Sequence, residues 1–288
     1  MRHSLRIPLI LCLLMAGGAA AAEELRVTGN RLFIPVRING HAMEALLDSG
    51  AEMTLIDAAA AARLGLTASG TAEARGTGKG TQKVQFAQNL EIAAAGVVMK
   101  GRTAAVMDLS DISARIVGEP VAVVLGRDLF DAGRFYLNIE EARFEKVSAA
   151  RRPKGMRLPL NDHRGIKQIP VRIEGHAPVW ADFDLGNGSG MLIGRKYADA
   201  NGLLSENRLI GTREGGGIGG AVTRQIVRVK SIEIAGKTVR KIEAAIDPAP
   251  DASDANVGVA LLRRFEMVID FSANAVWLTA TRHKRGRD

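Results

Sequence analysis

The chain carries two copies of one pattern, and that duplication constrains its fold more than any other feature. Ile34-Pro35-Val36-Arg37-Ile38-Asn39-Gly40-His41-Ala42 returns as Ile169-Pro170-Val171-Arg172-Ile173-Glu174-Gly175-His176-Ala177. Each copy then reaches an aspartate with a glycine two residues on: Asp48-Ser49-Gly50-Ala51 in the first and, after one extra residue, Asp184-Leu185-Gly186-Asn187 in the second. Leu55-Ile56-Asp57 through Arg63-Leu64-Gly65-Leu66 is matched by Leu192-Ile193-Gly194 through Ala200-Asn201-Gly202-Leu203, and Leu125-Gly126 by Val257-Gly258. A repeat this long is too large for a solenoid unit and implies two similar lobes. The chain's 288 residues suffice for each lobe to bury a core.

The repeated segment sets the kind of lobe. Leu32 to Ile38 ends in period-two alternation, the pattern of a half-buried strand. Asn39-Gly40, with Glu174-Gly175 as its counterpart, suits a tight hairpin. Gly65 and Gly202 are placed to close a short helix after each Asp loop. The expectation is an all-β protein with short helices: a leader over 1–22, a first lobe over 23–147, a linker over 148–160, a second lobe over 161–280 and a basic tail over 281–288.

Arg2 and Arg6 precede an apolar run from Ile7 to Met15, and Ala20-Ala21-Ala22 offers a cleavage site, so residues 1–22 read as a secretory signal peptide. The run is too short for a good membrane span. A periplasmic or secreted protein with no integral membrane span after cleavage is expected. Cys12, the only cysteine, lies in that leader, which excludes disulfides, cysteine nucleophiles and thiolate metal sites from the mature chain. Leu11 before it is too large for a good lipoprotein site. Without the leader the formal charge falls from +8 to about +6. Much of the excess sits in Arg151-Arg152-Pro153-Lys154 and in the run Arg282 to Arg287. Neither has interleaved aromatics, so both read as solvated segments and no nucleic-acid partner is expected.

Other motifs fail on context. The run Gly215 to Gly220 fits G-x-G-x-x-G, but Val222 to Val229 continues as a strand pattern rather than a phosphate-holding helix. His41 and His176 lack a second histidine at metal-ligand spacing. No G-x-S-x-G elbow surrounds any serine. The glycines have another use: Gly76, Gly78 and Gly80 in the first copy, and Gly217 and Gly219 in the second, fall between the short helix and the later glycine landmark. They read as mobile hairpin tips.

Asp48-Ser49-Gly50-Ala51, entered from Leu46-Leu47 and followed by Leu55-Ile56, resembles the active-site signature of aspartic peptidases. Val123-Val124-Leu125-Gly126 is similar to that family's second motif. Together with the duplication, the chain resembles the retropepsin-like, two-lobed bacterial aspartyl proteases from about Leu32 to Leu278. The resemblance implies a duplicated acid-protease-like fold with a peptide cleft between lobes, Asp48 and Asp184 as the catalytic pair, Ser49, Gly50 and Gly186 as support for the acid loops, and the two glycine clusters as flaps. Neither cluster contains the tyrosine of the pepsin-like flap. Lobe two departs from the pattern, since Leu185 stands where a hydroxyl is expected and Val257-Gly258 is a weaker second motif. Ser49 can still bridge the lobes, whereas Leu185 offers packing alone. Asp182, two residues before Asp184, is a rival second acid on the same strand face.

Two close carboxylates cannot both ionise easily, so one would stay protonated while the other activates a water towards the peptide carbonyl. Such a pair titrates as a unit. Activity should then follow a bell with an acidic optimum, its upper limb moved towards neutrality by burial. The mechanism implied needs no metal or organic cofactor. The expected partner is a peptide or protein substrate, and the expected state is a monomer with pseudo-two-fold lobes. The alternatives are a non-catalytic peptide-binding module with a degenerate second lobe, or a protease that dimerises through lobe one.

Overall fold

The computed structural model describes residues 23–281. The leader expected over 1–22 and the basic run after Thr281 lie outside the described residues. Within them the chain is mostly strand with short helices, arranged as two large sheets of the same design and a third that joins them.

In lobe one the eight strands run in the order 26–28, 31–38, 41–47, 123–125, 55–57, 97–107, 81–94, 68–75. Lobe two repeats the order with 161–163, 166–173, 179–183, 255–257, 191–194, 237–247, 220–234, 209–217. In each lobe the second strand also pairs with the seventh, which curls the sheet back on itself and leaves little open edge. The hairpins form as their sequences require. Asn39 and Gly40 both take positive φ (48° and 83°), as do Glu174 and Gly175 (49° and 80°), the backbone of a tight primed turn. The second copy absorbs its extra residue between Gly175 and Val179, so Ala45 pairs with Val123 and Ala181 with Ala255, and both acids leave their strands in the same register.

The helix after each Asp loop is also repeated. Ala58–Arg63 is capped by Asp57, whose side chain accepts from the Ala59 and Ala60 N–H groups (3.0 and 3.1 Å), and Arg195–Ala200 follows Gly194. Gly65 and Gly202 lie just beyond the C-termini, each with φ of 65°. A π-helix at Ile112–Val117 exists in lobe one alone. No periodicity announces it.

Strands from both halves build the third, six-stranded antiparallel sheet, in the order 23–24, 143–146, 134–138, 265–270, 275–280, 156–159. Its central pair joins the lobes, with Leu137 opposite Met267 and Phe135 opposite Ile269. Phe130, Phe135, Phe144, Phe265 and Phe271 cluster behind it in one continuous core shared by both lobes. Residues 148–160 are not wholly irregular, because Met156–Pro159 forms an edge strand against Ala275–Leu278. Among the described residues no helix is long and apolar enough to cross a membrane.

Candidate active site

Each acid sits at the end of an inner strand, where the chain turns sharply away from the sheet. Asp48 N–H donates to Leu125 O (3.0 Å) and Asp184 N–H to Val257 O (3.1 Å), the same bond in the two lobes. The loop then crosses the partner strand's glycine. A Cβ on Gly126 would strike the Met53 and Ala51 carbonyls, and one on Gly258 those of Ser189 and Asn187. Glycine is required at both places by space rather than by backbone angle. Arg127 N–H to Ala51 O (2.9 Å) and Val259 N–H to Asn187 O (2.8 Å) lock the crossings.

The two loops meet face to face. A Cβ on Gly50 would lie 3.0 Å from the Asp184 carboxyl, and one on Gly186 would overlap the Asp48 carboxyl, so each glycine makes room for the other lobe's acid. The two carboxyls lie close enough for the charge of Asp184 to act on Asp48. Ser49, 1% exposed, is the one hydroxyl following an acid that bridges the lobes: its Oγ donates to Phe183 O (2.6 Å) and accepts from Leu185 N–H (2.9 Å). The Leu185 side chain is fully buried in the shared core and has no polar atom to offer in return. Asp182 does not join the pair, because its Oδ1 is taken by Gln168 Nε2 (2.8 Å) and Ser253 Oγ (2.9 Å).

The pair is electrically lopsided. Burial, and then the charge of Asp184, push the Asp48 carboxyl up to about 7, against a partial pull from the Gly50 N–H (2.8 Å) and Arg31. Asp184 instead receives three N–H donors: Gly186 and Asn187 N–H on Oδ1 (2.9 Å each) and Asn256 Nδ2 on Oδ2 (2.7 Å). Asn187 Nδ2 in turn holds Asn256 Oδ1 at 2.7 Å. Register sets Asn256 of lobe two equivalent to Val124 of lobe one, which has no donor to offer. Arg31, largely buried, bonds Gly186 O and places its charge near both acids.

The glycine clusters of the two lobes meet each other. Strands Ala68–Arg75 and Thr81–Ala94 carry Gly76, Gly78 and Gly80 at their tip, and Leu209–Gly217 and Gly220–Ile234 carry Gly217 and Gly219 at theirs. The tips bond to each other through Gly78 N–H to Ile218 O and Gly80 N–H to Gly219 O, 3.0 Å each. Two arginines cross between lobes beside them: Arg115 Nη1 donates to Gly215 O (2.8 Å) and Arg224 Nη2 to Thr77 O (2.6 Å).

Arg31, Arg115, Arg224 and Asn256 are absent from the sequence reading. Asn256 alone left a signal, as the one polar residue in Ala255–Val257 where the first copy has valine.

Two acids facing each other where duplicated β lobes meet, and two hairpin tips that bond across the lobes, define the candidate site. Residues 34–129 match the family described as aspartyl protease. That match ends before lobe two begins. No curated protein matches the chain.

Proposed function

We propose that the protein is an exported aspartic endopeptidase whose dyad is Asp48 and Asp184, both from one chain. The observation that carries this reading is the reciprocal seating of each acid against the other lobe's glycine. The unequal surroundings support a division of labour. Asp184, with three donors, acts as the carboxylate that takes a proton from the attacking water. Asp48, kept protonated by burial and by its neighbour, donates to the developing oxyanion. Water adds to the carbonyl carbon, the proton held by Asp184 passes to the amide nitrogen, and the C–N bond breaks. The pair needs no second chain, which supports a monomer, and the leader pattern supports periplasmic or secreted placement.

The test is hydrolysis of a quenched peptide library by wild type, Asp48→Asn and Asp184→Asn. Both variants should fold and lose activity by several orders of magnitude, since each removes half of one proton-sharing unit. Activity retained in Asp184→Asn would favour a dimer of lobe one. Peptide binding without turnover by wild type would favour a binding module.

A further inference from the structure

Strand register identifies which residues of the two lobes are equivalent, and one set of equivalent positions differs in chemistry. In lobe one, Phe33, Leu46, Val84, Met107, Val121 and Val124 form a small apolar cluster of their own. Leu46 lies two residues before Asp48 on the same strand and so shares its face. The lobe-two counterparts are Gln168, Asp182, Arg224, Asp247, Ser253 and Asn256. All but Ser253 are buried polar or charged residues. The opposite lobe's flap tip touches each wall: Ile218 packs on the apolar cluster, and the Thr77 carbonyl bonds Arg224. Each wall therefore contacts the hairpin tip of the opposite lobe, and each includes the residue two positions before its lobe's acid, Leu46 or Asp182.

Arg224 is poorly served for a buried cation. It is 6% exposed, its nearest carboxylate, on Asp247, is 3.9 Å away, and its Nε is buried with no hydrogen-bond partner. Its bond to Thr77 O is to the lobe-one flap tip, which has to withdraw before a peptide can enter. Arg115 adds a second positive charge nearby. A guanidinium is always protonated and matches a carboxylate through two parallel bonds. Elsewhere in the wall, Asp182 is occupied by Gln168 and Ser253 and Asn256 by Asp184 and Asn187, whereas Arg224 keeps an unpaired Nε.

We infer that Arg224 is a specificity residue: it receives a carboxylate of the substrate on the lobe-two wall, while the lobe-one wall takes an apolar side chain across the scissile bond. The inference rests on the peptidase reading and names the substrate class for it, peptides with an aliphatic residue on one side and an acidic group on the other. Thr77 O and Ile218 stand in for these two groups when the flaps are shut. Because Asp48 keeps its proton up to about 7, such a substrate can be bound ionised under conditions where the dyad still holds its proton.

The test uses acetylated, amidated peptides with leucine on one side of the scissile bond and Glu, Gln, Lys or Leu on the other, in both orders, at about pH 6. A further arm carries leucine on both sides and a free C-terminal carboxylate. Glutamate should be favoured over glutamine and leucine by roughly 10- to 100-fold in kcat/KM, the worth of a hydrogen-bonded charge. A gain confined to the free C-terminus would place the carboxylate there and still support the site. Arg224→Val, the lobe-one residue at this position, should reverse the preference towards leucine, and Arg224→Lys should keep part of it. Anisotropy of labelled peptides on Asp48→Asn protein reports binding without turnover. Peptides cleaved with equal kcat/KM whichever residue they carry, or a glutamate preference that survives Arg224→Val, would overturn the inference and leave the peptidase standing. Discrimination in binding with no cleavage by wild type would uphold Arg224 and remove the peptidase. No discrimination in either assay overturns it.

Discussion

At the residue scale, Asn256 divides the two acids. It donates to Asp184 Oδ2 at 2.7 Å where Val124 gives Asp48 nothing, and Asp48, Arg31 and Asp182 are the other charged groups facing that carboxylate. The proposed mechanism requires one proton on the pair, so the rate should fall as pH rises through about 7, where Asp48 loses its proton. Asn256→Val removes a charged-group donor from Asp184 and should lower kcat roughly tenfold with KM nearly unchanged. Steady-state rates of the two proteins on one peptide check this, and an unchanged kcat would deny Asn256 its positioning role. Ser49 and Leu185 show the same asymmetry mechanically. The lobes are tied by one hydroxyl instead of two, and packing of a fully buried leucine fills the second place.

At the element scale, the flaps are held by backbone contacts too close for any side chain. A Cβ on Gly78 would lie 2.5 Å from the Gly219 carbonyl carbon and 2.6 Å from Ile218 O. Gly78→Ala should separate the tips without touching the dyad. The expected result is faster amide exchange at Gly80, whose N–H bonds Gly219 O, and a raised KM, with thermal stability nearly unchanged because loop tips add little to the core. Exchange at wild-type rates would mean that the tips part freely already. That these clusters are hairpin tips was legible from their glycines and the strands that follow. That they bind each other was not, since the two tips lie far apart in sequence.

At the scale of the whole molecule, the six-stranded sheet is the joint between lobes, and its charged anchor is Arg134 with Asp270, 2.7 Å apart and 13% and 5% exposed. Burial pushes the Asp270 carboxyl up, but Ser272, the Ala273 N–H and Arg134 outweigh it and hold it below its ordinary range. Arg134 also bonds Ala149 O and Arg151 O, tying the connecting segment to the joint. Arg134→Met should cost about 3 kcal/mol or more, measured by denaturant unfolding. The pH dependence has two signs. Asp270, with a depressed pKa, contributes stability above the unfolded value of about 3.9 that is lost as pH falls through its folded value. Asp48, with a raised one, binds its proton more tightly when folded, so stability should decline from about pH 4 to about 7. Asp128 and Asp182, also raised by burial, contribute with the same sign, so Asp48→Asn should make the second slope shallower and leave the first. A wild-type melting temperature that rises over that interval would contradict the burial of Asp48.

The sequence by itself determined whatever local pattern and repetition can encode: two β lobes, the hairpins at Asn39-Gly40 and Glu174-Gly175, the short helices, and the places of Asp48 and Asp184. These rest on periodicity, turn chemistry and a copied order of landmarks, all of which are properties of neighbours along the chain. Folding in three dimensions is what sets Asp184 and not Asp182 against Asp48, ties Ser49 to Phe183 and Leu185, brings Asn256 and Arg31 to the acids, and carries Thr77 and Ile218 to the opposite walls. Each of these contacts joins residues from different lobes or distant strands, and strand order and register, not spacing in sequence, bring them within bonding distance.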